Sequence, residues 1–560
     1  MSMLEVRICR GEAVWDALST DWQRLWSAQP RREVFTSPAW CRAAWQADGS
    51  SVDVALVCVR RAGKLVGLLP LRTDPVRFLS GVNADYNDIL VDDPEPVAIV
   101  NAALQAVLHE FGQAAFDNLP EWSTLCRTLP QLPEGLRRQI VVEPGQPCPA
   151  LRLGSEREAL LASMTGKQSL KRHEKKLARH GALRLRHIED RDAIADRLDD
   201  FFSQHVARRA LAGGRSLFLE ERSRRFYQYL LEQFDPANEL RFAALEVDGR
   251  PVAYHLGFEV DGRFTWYKPS FDVDYWDCGV GEVLLKRLLE YVRERPVHEF
   301  DFTRGDEAFK ERFSNHKGTN VRWTLRKGGL AARGLALKAQ WRQALKSQPV
   351  VMDLRQRWRR FDDGTYPLPG HRPGQRAQRH LAPWHWRIFG SSARMIHLSV
   401  ARSALLERAP VPCAMQVEQT TLKTLALMAV QPYSLCDLDD LRRAREGLRD
   451  GDRLFVAREV GRAEAVAWIG ARAAAGQPAG DDGAAGVRRA VIEFVGNAWP
   501  AADPARLHAL LAPMAATASE DLIEVACPVG AKPYLLALRA LGFRETGLDT
   551  PRPASVVSAS

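Results

Sequence analysis

The sequence predicts an α/β protein made of three related units, each a meander of strands followed by a turn, a helix and a further strand. Two observations carry that prediction. A chain of 560 residues is too long for one hydrophobic core, since domains run to about 100–200 residues. One pattern, an apolar strand, a glycine turn, a basic residue soon after it and a second strand, also recurs three times. The copies are VDVALVCVRRAGKLVGLLPLR (52–72), ELRFAALEVDGRPVAYHLGFE (239–259) and RLFVAREVGRAEAVAWIGAR (453–472). A single hairpin of this kind is common. Three copies, each after helix-like segments and before strand- and helix-like ones, mark a repeated domain. Their starts lie 187 and 214 residues apart, too far for a solenoid repeat.

Composition narrows the class. Hydrophobic residues at 46% and charged residues at 26% exclude a mostly disordered, collagen-like or coiled-coil chain. No run of eighteen apolar residues occurs and the first residues lack a signal-peptide core, so a cytoplasmic protein without a membrane span is expected. Nine scattered cysteines without a C-x-x-C pair predict reduced thiols and no metal site. The net charge of +9 is local: Arg326 to Arg379 holds thirteen Lys or Arg against three Asp, which leaves the remainder near neutral. A basic connector, rather than a DNA-binding domain, is the expectation.

The domain limits follow from the punctuation. EPGQPCP (143–149) separates residues 1–150 from 151–330, the connector occupies 331–395, the third unit 396–548, and 549–560 forms a disordered tail. In the middle unit, Asp248-Gly249 and Asp261-Gly262 separate strands at 241–247, 252–260 and 263–270. FDVDYWDCGVG then leads into a helix on which Leu284, Leu288, Tyr291 and Val292 recur at helical spacing, and HEFDFT (298–303) follows as a strand. Within the connector, Leu337, Trp341 and Leu345 form one helical stripe and Lys338, Arg342 and Lys346 its neighbour. With RQRWRR (355–360), this predicts a peripheral contact of 333–360 with an anionic membrane face or an acidic protein.

The chemistry centres on the Gly279-Val280-Gly281 turn between strand and helix. Small residues there let backbone amides approach an anion, and the helix dipole favours negative charge. The turn is neither a dinucleotide fingerprint, lacking the third glycine, nor a P-loop, lacking Gly-Lys-Ser/Thr. No H-E-x-x-H or G-x-S-x-G motif occurs, so direct group transfer is favoured over metal or serine hydrolysis.

Six segments together resemble the GNAT superfamily, and more closely its CelD/BcsL type, which is related to FemAB-like proteins with tandem GNAT domains. They are FTSPAWCRAAW (35–45), NADYNDILV (83–91), FFSQHVARRA (201–210), GRPVAYHLGFE (249–259), CGVGEVLLKRLLEYV (278–292) and DFTRGDEAFKERF (301–313), and the likeness spans about 1–330. It implies tandem GNAT-like domains, with mixed, mainly antiparallel sheets flanked by helices, and a third, degenerate unit. It also implies acetyl-CoA or another acyl-CoA as co-substrate, an amine or hydroxyl acceptor such as a sugar or envelope precursor, and a setting in bacterial exopolysaccharide, cellulose or cell-envelope metabolism. The alternatives of the same lineage are an aminoacyl-tRNA-dependent transferase and a non-catalytic scaffold of a polysaccharide synthase.

Carried onto this sequence, the pyrophosphate site is Asp277, Cys278, Gly279, Val280, Gly281 and Glu282. The motif's usual Gln or Arg is here Trp276, which cannot supply the same charge. The candidate catalytic residues are His255, Tyr267, Asp301, Arg304, Asp306 and Lys310, with Asp306 expected to orient Arg304 or Lys310. Asp85, Tyr86 and Asp88 from the first domain, with His205 and Arg208, are candidate substrate contacts. The basic run KQSLKRHEKKLARH (167–180) reads as a solvated helix face or as a contact for an anionic ligand. In the third unit, Ala537 stands where such enzymes often carry an acidic-proton-donating Tyr, which predicts an inactive domain.

Overall fold

The computed structural model describes residues 3–49, 53–328, 395–408, 415–431, 436, 438–459, 462–472, 489–494, 504–528 and 532–548. The connector calls at 333–360 and the tail at 549–560 therefore lie outside the described residues. The chain divides into two compact units, one of residues 1–205 and 216–361 and the other of 206–215 and 362–560. No described helix is long and apolar enough to cross a membrane.

Thirteen strands build the sheet of the first unit. They are β1 (Leu4–Arg10), β2 (Val54–Arg61), β3 (Lys64–Thr73), β4 (Val76–Phe78), β5 (Leu90–Val91), β6 (Gln113–Pro120), β7 (Ile140–Arg152), β8 (Leu183–Ile188), β9 (Leu240–Val247), β10 (Arg250–Val260), β11 (Arg263–Phe271), β12 (Glu299–Asp301) and β13 (His316–Arg326). Their order is β1-β2-β3-β4-β6-β13-β7-β12-β11-β10-β9-β8, with β5 beside β3. The two arms read alike from either edge: an antiparallel meander that ends in one parallel pair, β4 with β6 in the first arm and β11 with β12 in the second. The sequence repeat thus becomes a structural one. The meander turns expected at Asp248-Gly249 and Asp261-Gly262 have positive φ at both residues, the two-residue hairpin geometry that matches strand twist, and Ala62-Gly63 repeats it in the first arm.

The arms exchange strands at the centre. β7 follows the first arm in sequence but pairs with β12 of the second, Ala150 opposite Asp301, while β13 lies between β6 and β7. The segment 143–149, expected as a linker, is therefore strand within β7. Its prolines fix extended backbone and are taken up where the register with β13 slips, and the Gln146 amide donates to the Asn320 side-chain oxygen there (2.6 Å). Proline-rich composition signalled a boundary, but it describes an irregular strand equally well.

Helices cover both faces. In the second arm, Val280–Arg293 lays Val283, Leu284, Leu288 and Val292 against Leu245, Phe264, Trp266 and Phe300. In the first arm, Pro96–Phe111 does the same with Ile99, Val100 and Leu104 against Val57, Leu69 and Phe116. On the opposite face, Pro38–Asp48 and Glu221–Gln233, one from each arm, pack together. Trp40, fully buried, stands there with ring centroids of Phe35, Phe226, Phe258 and Tyr267 at 4.8–5.7 Å.

The second unit repeats the plan on a smaller scale. Its strands β14 (Met395–Ala401), β15 (Met415–Thr420), β16 (Arg453–Glu459), β17 (Arg462–Arg472), β18 (Arg489–Phe494), β19 (Leu522–Pro528) and β20 (Arg544–Leu548) are ordered β15-β16-β17-β18-β19-β14-β20. They too contain one parallel pair, β18 with β19. The turn before its helix Pro504–Ala516 lies outside the described residues.

Because Trp40 joins the helices of both arms, its removal loosens the unit as a whole. Trp40→Ala is expected to cost about 3–5 kcal/mol, as buried Trp truncations do, read as a lower guanidinium midpoint. A loss under about 1 kcal/mol would show that the arms hold without this contact.

Candidate functional site at the parting of two parallel strands

Strands β11 and β12 pair only through Arg263–Glu299, Phe264–Phe300 and Thr265–Asp301. β11 runs on to Phe271, whereas β12 ends at Asp301, so the two strands part beyond Thr265. Gly257 on β10 helps shape the parting. It sits at a bulge where a β-carbon would stand 2.1 Å from the Thr265 carbonyl oxygen, so any other residue would push β11 away.

Strand alternation sorts the side chains. Phe264, Trp266, Phe300 and Phe302 enter the core under the helix Val280–Arg293, while Arg263, Thr265, Tyr267, Glu299 and Asp301 turn to the other face. There they meet the first arm in a buried ionic network. Arg263 Nη1 donates to both Glu33 oxygens at 3.1 Å, and Arg31 donates to Glu33 at 2.7 Å and Glu299 at 2.6 Å. Arg31 also stands 3.7 Å from Asp301 and lies over the Trp122 ring, whose Nε1 donates to Glu33 at 3.0 Å. Burial alone would raise the pKa of Glu33, but Arg263 and Arg31 hold it below the usual range.

Asp301 is the exception in this network. It is 3% exposed, and burial pushes its pKa up to about 6, with Arg31 opposing the rise and Glu33 and Glu299 adding to it. Its Oδ1 accepts from the Tyr86 hydroxyl and from the Thr303 amide, both at 2.8 Å. Thr303 holds φ 57°, the left-handed region that β-branched residues avoid, so backbone strain is stored directly beside this carboxylate.

The residues singled out in the sequence separate into three groups. Asp85, Tyr86, Tyr267, Asp301, Arg304 and Lys310 come together at the junction of the arms. Arg304 Nε donates to Asp85 at 2.6 Å and its Nη1 to Asn118 at 2.9 Å, and the buried Lys310 Nζ donates to the Arg304 carbonyl oxygen at 2.8 Å. Tyr267 donates to the Asn83 carbonyl oxygen at 2.8 Å and accepts from Tyr227 at 3.2 Å; burial holds its phenol protonated.

The second group takes structural roles. Asp306, expected to orient the two cations, is exposed; Asp85 orients Arg304 instead, and Glu307 pairs with Lys310 at 2.9 Å. His255, expected as a base, is fully buried between the rings of Phe264 and Trp266 on the core face. Burial lowers its pKa to about 3, which leaves a neutral imidazole away from the polar junction. Asp88 accepts from the amides of Ile89, Thr124 and Leu125 and so caps the helix Thr124–Thr128. His205, on the helix Leu198–Leu211, pairs through Nδ1 with Ser216 Oγ at 2.9 Å, and Arg208 lies three residues further along the same helix.

The third group is the glycine turn. Gly279 has φ 64° and ψ 36°, and a β-carbon there would stand 2.5 Å from His173 Nδ1, so both backbone and space demand glycine. At Gly281 an added β-carbon would make only an ordinary 3.5 Å contact with Phe271. Cys278 and Val280 point into the core, the Asp277 carbonyl oxygen accepts from Lys176 at 2.8 Å, and Glu282 pairs with His173 at 3.1 Å and with Arg312. The matching turn of the first arm is of opposite character. Its helix begins Asp93-Pro94-Glu95-Pro96, with prolines in place of two amide donors, and both carboxylates are held by Arg61 (2.8 and 3.0 Å). The two turns therefore differ in charge and in the amide donors they offer.

Arg31, Glu33, Arg263 and Glu299 were missed in the sequence. Glu299 and Asp301, two apart on a short strand of otherwise apolar residues, share one face, and that alternation was the available signal. Their partner Arg31 lies more than 260 residues away, on a loop that no local pattern ties to the strand.

Residues 165–311, which contain this parting and this turn, match the family model of the acetyltransferase (GNAT) domain. The match lies within the second arm of a mixed α/β architecture. A comparison with curated proteins finds no match. Among solved structures, FemX is 10% identical, covering 57% of this chain and 97% of its own at a TM-score of 0.40. A tandem GNAT protein from the clavulanic acid biosynthesis pathway is 14% identical, covering 58% and 99% at 0.35. L-PGS from Bacillus licheniformis is 11% identical, covering 47% and 82% at 0.32. Likenesses this distant assign no substrate.

The Asp85–Arg304 pair ties the signature block to the first arm. Removing one partner strands the other charge, so Asp85→Asn or Arg304→Gln is expected to cost about 3–5 kcal/mol. The double variant should cost clearly less than the two single losses together. Additive losses in a denaturant-melt double-mutant cycle would show that the two side chains do not act as a pair.

Proposed function

We propose that this protein transfers an acyl group from acyl-CoA to an amine or hydroxyl acceptor, with the chemistry at the parting of β11 and β12. The observation that carries the reading is the coincidence, within the GNAT-matching segment, of the parting of β11 from β12, a glycine turn opening a fourteen-residue helix, and a buried carboxylate of near-neutral pKa. The gap that opens between the two strands beyond Thr265 suits a pantetheine arm, and the amides of Val280 and Gly281 suit its diphosphate. Glu33, Glu299 and Arg31 set the field around Asp301, which serves as the general base for the acceptor. Tyr86, donating to the same carboxylate, is the nearest phenol able to pass a proton to the departing thiolate.

Transfer converts a thioester and an acceptor N–H or O–H into an amide or ester and a free thiol, and the acceptor proton finishes on the CoA sulfur. The acceptor cleft is shared between arms, with Asp85 and Arg304 at its wall. A sugar or cell-envelope acceptor, acetyl as the acyl group, a CelD/BcsL-type setting and an inactive third unit belong to the same proposal. They rest on the sequence resemblance, and a peripheral contact of 333–360 with an anionic surface rests on that segment's charge pattern.

Thiol release from acetyl-CoA, followed over pH with an amine or amino-sugar acceptor, tests the reading. Asp301 works ionised, so kcat/KM is expected to rise through about pH 6 and level above it. Asp301→Asn should lose about 100-fold or more with its fold intact, on the usual scale of general-base removal. Gly281→Val should abolish acetyl-CoA binding without disturbing Gly279. Turnover that requires aminoacyl-tRNA, or an Asp301→Asn variant of undiminished activity, would overturn the proposal.

A further inference from the structure

We propose that the helix Gln168–Leu177 supplies the phosphate-binding charge that the glycine turn lacks, holding the diphosphate of CoA between Gly279-Val280-Gly281 and the side chains of Arg172 and Lys176. The proposal rests on the acyl-CoA reading above and adds a second element to it. Three observations lead to it. No Lys, Arg, Asn or Gln stands among residues 276–282, so the turn itself offers an anion only backbone dipoles. Glu282, in the first helical turn, already takes up Arg312 and His173, so neither is left over for a diphosphate. The diphosphate's own charge must be met from elsewhere.

That countercharge lies alongside. His180, Lys176 and His173, on one side of the basic segment, touch Tyr275 and Cys278, Asp277, and Gly279 and Glu282 in turn. The segment therefore runs the length of the glycine turn. It is anchored from beneath by the buried Leu170 and Leu177, while its one carboxylate, Glu174, is consumed by Lys286 and Arg287 of the neighbouring helix. The cations are left without neutralisation from their own helix. Arg172 is exposed and, among the described residues, has no acidic partner. Lys176 is exposed and spends a single donor on the Asp277 carbonyl oxygen, which keeps two for a ligand. Arg172 and Lys176 are four apart, on one helical face.

Calorimetry of the full chain with CoA, at low and moderate salt, tests this. Arg172→Gln combined with Lys176→Gln is expected to weaken CoA binding by about tenfold or more and to flatten its salt dependence, while the melting temperature stays unchanged because both side chains are exposed. Arg172→Lys with Lys176→Arg should retain most of the affinity. Undiminished CoA binding by the double Gln variant, with Gly281→Val still abolishing it, would overturn the helix's role and leave the acyl-CoA reading standing. Loss of pelleting with vesicles containing anionic lipid, but not of CoA binding, would overturn it in favour of a membrane face. An unaltered chain that fails to bind CoA would overturn both.

Discussion

The ionic network of Arg31, Arg263, Glu33, Glu299 and Asp301 at the junction of the arms forms the constraint on which the rest of this structure depends. Arg31 and Arg263, with Arg152 3.4 Å from Glu299, make their close contacts to the two glutamates, so position decides which carboxylate is left least neutralised. The two glutamates take the direct guanidinium contacts and stay ionised. Asp301 is left with a longer approach to Arg31 and bonds from a phenol and an amide, and its affinity for a proton rises. Buried ion pairs are poor sources of net stability, because desolvation cancels much of the attraction. The network makes better sense as a device that fixes one carboxyl group at the strand parting with a pKa suited to neutral conditions. The hydrophobic packing around Trp40 and the exchanged strands β7 and β13 hold the arms together and bear the cost of that device.

The duplicated plan explains why one arm was free to specialise. Both contain a meander, a parallel pair and a helix over the parting, yet the first opens its helix with carboxylates and prolines and the second with glycines. Anion binding at the first helix is closed off by charge and by missing donors. What the first arm gives the site is side chains: Arg31, Glu33, Asp85, Tyr86 and Trp122 all reach residues of the second arm or their ligands in the network.

Much of this was legible in the sequence, and the pattern of success is physical. The three hairpins and the helix Val280–Arg293 depend on local rules of turn chemistry and periodicity, and each folds where those rules place it. His255 misled because an imidazole on a strand is chemically plausible, while its facing direction depends on which side of the sheet the helix covers. Asp306 misled because the neighbour that orients Arg304 comes from residue 85 rather than from the same block. Asp88 looked like a ligand contact, yet three backbone amides claim it. The 143–149 linker failed since strand exchange is a tertiary event, decided by pairing with β13 at a distance of some 170 residues.

Amide hydrogen exchange of the full chain with and without acetyl-CoA tests the central claim most directly, because it locates the ligand without presuming a mutation's effect. The account predicts slowed exchange within 266–271 and 278–283, where β11 has parted from β12 and at the glycine turn, and no change across 93–99 of the first arm. Protection at 93–99, or protection confined to the second unit, would contradict it.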